Sequence, residues 1–218
     1  MINFFTQLLD LIYKKKCYFC GNTKHNSKMC PDCIEKINFL PPKKLKYIDS
    51  VCVYSAMIYE DEIKRLIRGL KYHNQKELAY FQAKLMDDFW QKVDASKGKY
   101  TLLPVPLYIK REKKRKYNHM SLVAKEFAKL RGYDVKEDLI FRIKDTKPQF
   151  NLSIKERARN MEGAFEVKKE NYHDEKILII DDILTTGSTL SEMIKVLKSS
   201  GINDITVFVT SCTDFHLC

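Results

Sequence analysis

Two short stretches of this 218-residue chain place residue types at spacings that can do chemistry. The first runs Ile177-Leu-Ile-Ile-Asp181-Asp182-Ile-Leu-Thr185-Thr186-Gly187-Ser188-Thr189. Its apolar, non-alternating start reads as a strand buried on both faces, as in a parallel sheet. At the C-terminal edge of such a strand, Asp181 and Asp182 can accept hydrogen bonds from vicinal sugar hydroxyls. Thr185, Thr186, Gly187, Ser188 and Thr189 then offer hydroxyl and backbone N–H donors where a helix begins, a setting that favours a phosphate dianion. Gly187 permits close approach. Strand ends and helix caps of these types also occur without a ligand. Their union in this order, without the glycine-lysine pair of a P-loop, is what points to a bound phosphate compound.

The second stretch is a pair of pairs, Cys17-Tyr-Phe-Cys20 and Cys30-Pro-Asp-Cys33, nine residues apart. Each C-x2-C pair can place two sulfurs on one metal, and four thiolates close a tetrahedral shell, so the expected ion is a structural Zn2+. It would stabilise a segment too small to fold on its own core. A redox dithiol would explain one pair but not two. His25 lies between the pairs and is surplus to a four-sulfur shell. Cys52 and Cys212 sit in apolar runs and read as small core residues.

Both constellations need a scaffold. Residues 1–16 read as an N-terminal amphipathic helix with Phe4, Phe5, Leu8, Leu9 and Ile12 on one face, packing on the protein itself or, less simply, meeting a membrane surface. Residues 17–40 form the cysteine module, and Pro41-Pro42 with Lys43, Lys44 and Lys46 make a stiff, charged linker over 41–46. Residues 47–218 are then long enough for one α/β domain. Within it the periodicity predicts strands over 50–55, 100–105, 138–143, 176–180 and 205–209. Helices are expected over 61–71, 77–93 and 188–199, with another through Leu122, Val123, Phe127 and Leu130 stopped by Gly132. The residues after Pro106 read as a basic loop, and 144–163 as a loop with at most one helical turn. Strand, helix, strand at the C-terminal end means a parallel sheet flanked by helices.

Charge narrows the partners. Thirty-nine Lys and Arg against 28 Asp and Glu give a net charge of +11, which favours phosphates, nucleic acid or acidic surfaces and fits a solvated lysine-rich surface equally well. The longest apolar runs fall far short of the ~20 residues of a membrane span, and the N-terminus lacks the order of a secretory signal. Seven cysteines, an odd number with four tightly patterned, fit a reduced compartment, so a cytoplasmic location is expected.

Residues 177–189 resemble the phosphoribosyl pyrophosphate signature of type I phosphoribosyltransferases. The whole chain resembles the ComF family, on its cysteine pairs, Leu70-Lys71-Tyr72, Pro104-Val-Pro106-Leu107, the segment after it, residues 149–165 and the final motif. That family reads Arg-x-x-x-Arg-Gly-Phe-Asn-Gln where this chain has Arg111-Glu-Lys-Lys-Arg115-Lys116-Tyr117-Asn118-His119. The resemblance implies a type I phosphoribosyltransferase-like fold with a small zinc-ribbon-like module at its N-terminus. It implies that Asp181 and Asp182 serve ligand binding and any catalysis, and that Arg111, Arg115, Lys116, Tyr117 and Asn118 receive the pyrophosphate with Mg2+. Gln149, Arg157 and Asn160 fall where such enzymes have a mobile loop, although Arg157 could equally hold a surface carboxylate. Lys116 stands at a glycine position and His119 at a glutamine position, which sets the backbone there and turnover in question. The family is associated with DNA uptake in natural transformation, so single-stranded DNA and other uptake proteins at the inner membrane are expected partners. The alternative is a non-catalytic single-stranded DNA-binding factor that keeps the fold.

Overall fold

The strand carrying Asp181 and Asp182 lies inside a six-stranded sheet, and the crevice beside it follows from how that strand is covered. The computed structural model describes residues 14–93, 97–146 and 153–213. Its elements are α1 (Pro31–Ile34), β1 (Lys46–Ile48), β2 (Val51–Ile58), α2 (Asp61–Tyr72), α3 (Leu78–Trp90), β3 (Thr101–Pro104), α4 (Ile109–Arg115) and α5 (His119–Arg131). There follow β4 (Asp134–Val135), β5 (Ile140–Arg142), α6 (Ile154–Met161), β6 (Phe165–Val167), β7 (Ile177–Leu184), α7 (Ser188–Ser199) and β8 (Ile205–Cys212). The sheet order is β1-β2-β8-β7-β3-β4, parallel except for the β1–β2 pair, while β5 and β6 form a separate antiparallel pair. From β3 the chain moves outward to β4, and from β7 it moves the other way to β8, so the strand order reverses between β3 and β7. Open α/β sheets collect their ligands at such a switch point.

Helical periodicity sets the cover. Ile63, Leu66, Ile67 and Leu70 of α2 are all buried, as their i, i+3, i+4, i+7 spacing predicts. The deepest part of the core is aromatic: Trp90 and Phe89 of α3 stack on Phe208 of β8 at centroid distances of 4.7 and 5.7 Å, and Phe127 of α5 closes the cluster. Asn118 caps α5 by accepting from Met120 N at 3.0 Å, and Gly132 ends it in the left-handed conformation at φ 66°.

Several expectations need correction. The basic segment after Pro106 is a helix, α4, because Lys, Arg and Glu are good helix formers and its cations favour the C-terminal end. Residues 144–163 include a two-turn helix, α6, started by a capping box in which Ser153 and Glu156 bond each other's backbone N–H. β7 and β8 run past their apolar cores to Leu184 and Cys212. β5 belongs to the small hairpin-like pair and not to the main sheet, and β1, β4 and β6 are short strands without a strong pattern. Residues 41–46, read as a linker, run beside β2, where Leu40 N donates to Ala56 O at 2.9 Å and Leu45 N to Val53 O at 2.8 Å. Residues 1–13 of the amphipathic stretch, Gln149 and Cys218 lie outside the described residues, and residues 14–16, the end of that stretch, are irregular and not helical.

Candidate functional site

β3 pairs with β7 only as far as Pro104 opposite Ile180, where Val105 N donates to Ile180 O at 3.0 Å. Beyond that point β7 keeps only β8 as a neighbour, so Asp181 and Asp182 face a cavity of about 520 Å³. Arg111 and Arg115 of α4, Arg142 of β5, Arg157 of α6, and Arg68 and Lys71 of α2 line the same cavity, six cations against two carboxylates. Thr185 and Thr189 line it from the loop and first turn of α7. The concentration of positive charge in one concave site suits a compact polyanion.

The two acids have opposite electrostatics. Asp182 Oδ2 lies 2.5 Å from Lys71 Nζ and 2.6 Å from His119 Nε2. Burial works against its charge, but Lys71 and His119 together hold the Asp182 carboxyl well below the usual carboxylate range. Asp181 has no such partners; burial and the neighbouring Asp182 charge push it up to about 7. His119 Nδ1 lies 2.9 Å from Arg115, a pure donor, so Nδ1 accepts and the Nε2–H donates to Asp182. Burial lowers the His119 pKa and keeps the ring neutral in that tautomer. A glutamine at this position would carry the same acceptor and donor pair in its amide.

The structure brings together Arg111, Arg115, Arg157, Asp181, Asp182, Thr185 and Thr189 of the residues singled out in the sequence. Gly187 (φ 83°) sits directly ahead of α7 in the left-handed conformation, where an added Cβ would meet Ile48 Cδ1 at 2.9 Å. Thr186 and Ser188 exchange a 2.9 Å hydroxyl hydrogen bond across it. Three others serve the fold. Tyr117 donates to the Leu70 carbonyl at 2.6 Å, Asn118 caps α5 and donates to the Val105 carbonyl at 3.0 Å, and Lys116 ends α4 at φ 69°. The left-handed backbone that favours glycine is thus present at Lys116, with a side chain on it. Asn160 lies on α6, outside the cavity lining.

Sequence reasoning omitted Lys71, His119 and Arg142 from the site. Lys71 was visible only as part of a motif, and His119 only as a departure from one. Arg142 sits on a three-residue strand with no pattern. It donates to Thr146 Oγ1, Arg111 donates to the Thr146 carbonyl, and burial together with Arg111 lowers the Arg142 pKa to about 10. Two guanidiniums held side by side on one residue repel, a cost that an anion between them would offset.

The cysteines form a second candidate centre. The Sγ atoms of Cys17, Cys20, Cys30 and Cys33 lie within 4.8 Å of one another, with Cys17–Cys33 at 3.9 Å and Cys20–Cys30 at 3.6 Å. A tetrahedral Zn–S shell of 2.3 Å bonds needs sulfurs about 3.8 Å apart, so the four residues fit the ion. Burial and the neighbouring sulfurs push the Cys33 thiol up, a penalty that a dication removes. His25 stands instead near Asp32, at 3.9 Å.

Residues 124–212 match the family described as the phosphoribosyl transferase domain. The chain is 27% identical over 220 residues to Competence protein F of Haemophilus influenzae, covering 88% of this chain and 95% of that protein. It is 28% identical over 198 residues to the DNA utilization protein YhgH of Salmonella typhimurium, covering 88% of this chain and 82% of that one. It is 24% identical over 188 residues to Competence protein ComFC of Bacillus subtilis, covering 85% of this chain and 72% of that protein.

Proposed function

From its place beside Competence protein F, ComFC and YhgH, with a phosphoribosyl transferase domain over residues 124–212, we propose that this protein binds phosphoribosyl pyrophosphate or a close phosphosugar relative and acts in DNA uptake. The observation that carries the reading is the one cavity in which Asp181, Asp182 and the start of α7 face five arginines. In it, Thr185 to Thr189 and the α7 N-terminus receive the 5′-phosphate, Asp181 takes the ribose hydroxyls, and Arg111 and Arg115 receive the pyrophosphate. Asp182 holds Lys71 and His119 in place beside it. Mg2+ would sit on the pyrophosphate with Asp181 as the available carboxylate, neutralising leaving-group charge. The chain's own part in any ribosyl transfer is to orient the sugar and shield its anomeric carbon from water.

Binding of this ligand should raise the melting temperature by about 5–10 °C at a concentration near 100 times Kd. Ribose 5-phosphate and pyrophosphate, each carrying half of the contacts, should raise it less. Because ligand hydroxyls or Mg2+ favour ionised Asp181, affinity should climb roughly tenfold from pH 6 to pH 8 and level off above the Asp181 pKa of about 7. A shift as large for pyrophosphate alone would reduce the site to an anion trap.

A second reading, single-stranded DNA binding, is favoured by a groove of about 350 Å³ lined by Lys15, Lys28, Lys76, Tyr80 and Phe81 together with Glu77 and Glu126, with Tyr80 exposed. An exposed aromatic ring among lysines suits base stacking beside a phosphate backbone. Tyr80→Ala should then weaken oligonucleotide binding by about tenfold, and the affinity should fall steeply with salt. Binding insensitive to both would discard this reading.

A further inference from the structure

The cysteine cluster and the cavity are far apart in sequence, yet one helix touches both. The turn between Cys17 and Cys20 grips the second half of α2. The Tyr18 ring packs on Gly69, where an added Cβ would lie 3.1 Å from Tyr18 Cε1 and 2.5 Å from Leu78 Cδ1. The Tyr18 hydroxyl lies 2.5 Å from His73 Nδ1, and Arg65 donates to the Phe19 carbonyl at 3.1 Å. Gly69 is helical, so its glycine is required by space and not by backbone angle. Two residues on, Lys71 reaches Asp182 at 2.5 Å. The last turn of a helix has carbonyls without intrahelical partners and is the first part to fray. In α2 that turn carries the cation that neutralises Asp182, and it is held by the Cys17–Cys20 turn on one side and by Tyr117 on the other.

We propose that the Cys17–Cys20 turn, fixed by its metal, is a positioning device for Lys71: through Tyr18 and Phe19 it holds the end of α2 so that the Lys71 ammonium meets Asp182. The metal thereby acts on the phosphosugar site without touching it. The binding part of this inference rests on the function proposed above; the helix part does not.

The test is a Tyr18→Phe/Arg65→Ala double variant, which removes both polar links and leaves the four cysteines and the cavity lining intact. With zinc content unchanged, amide hydrogen exchange over residues 69–73 should quicken on the order of tenfold while α5 keeps its protection. Affinity for phosphoribosyl pyrophosphate should fall, and its acid limb should move to higher pH, because Lys71 also favours the charged form of Asp181, which without it holds its proton more tightly. A merely structural defect would lower affinity equally at every pH. Unchanged exchange and an unchanged pH profile, with zinc retained, would overturn the proposal. If the variant loses zinc, the wild type is stripped with a chelator instead; exchange that does not rise earlier over 69–73 than over α5 overturns it equally. A wild type that ignores the ligand would refute the proposed function alone, and the exchange comparison would still decide this one.

Discussion

Asp182→Ala should lower the unfolding free energy by ~3–5 kcal/mol at neutral pH, whereas Asp181→Asn, one residue earlier, should raise it by on the order of 1 kcal/mol. The reason is the difference in partners. Removing Asp182 leaves Lys71 and His119 half-embedded or buried with no carboxylate to meet them. Asp181, in contrast, is a half-buried acid set beside the ionised Asp182, so an amide relieves it. The pH dependence separates the two. The Asp182 pKa is depressed in the folded state, so its contribution is complete above the ordinary carboxylate value near 4 and is lost as the pH falls further. The Asp181 pKa is raised, so the folded protein loses stability as pH rises from about 4 to about 7, and the gain from Asp181→Asn appears across that interval. Denaturant melts at pH 4, 6 and 8 measure both. Equal effects of the two substitutions would mean that the Lys71–Asp182–His119 row does not hold the site together.

Withdrawal of metal from the cysteine cluster should have the other large effect. Structural zinc contributes roughly 10 kcal/mol of apparent binding energy at neutral pH, more than a segment of this size can supply by burial. Cys17, Cys30 and Cys33 are buried, and Met29 and Leu40 of the same segment pack into the main core, so the loss reaches the sheet. Stoichiometric chelation, or Cys30→Ser, should unfold the module and lower the melting temperature of the remainder by at least about 5 °C. A melt that is the same with and without one equivalent of zinc would show that the cluster is held by packing alone.

How far the sequence could be read follows from which patterns physics makes legible. α7, bounded by Gly187 and an apolar face of Leu190, Ile194 and Leu197, matches its expected range, and α2 is as plain. The apolar run that marks β7 ends at Ile180, where β3 stops covering it; the strand continues, but Asp181, Asp182 and Ile183 line the cavity. β8 hides its length in the same way, since Thr210 and Ser211 are buried polar residues satisfied by Gln82 and the Asp182 carbonyl. α4 and α6 lie on the cavity rim, where cations replace the apolar period that betrays a core helix, although Ser153 and Glu156 carried a readable cap. The acid pair, the α7 start and the cysteine ligands were legible because their chemistry is local. Lys71, His119 and Arg142 reach the site only through tertiary folding, and no spacing rule joins positions 71, 119 and 182.

The central claim is tested most directly by calorimetric titration of the zinc-replete protein with phosphoribosyl pyrophosphate, with and without Mg2+, beside Asp181→Asn. Saturable, Mg2+-dependent binding to the wild type at one site, weakened at least about tenfold in the folded variant, is the predicted result. No heat at millimolar ligand, or equal affinity in the variant, would contradict it and leave the acid pair as a relic of the fold.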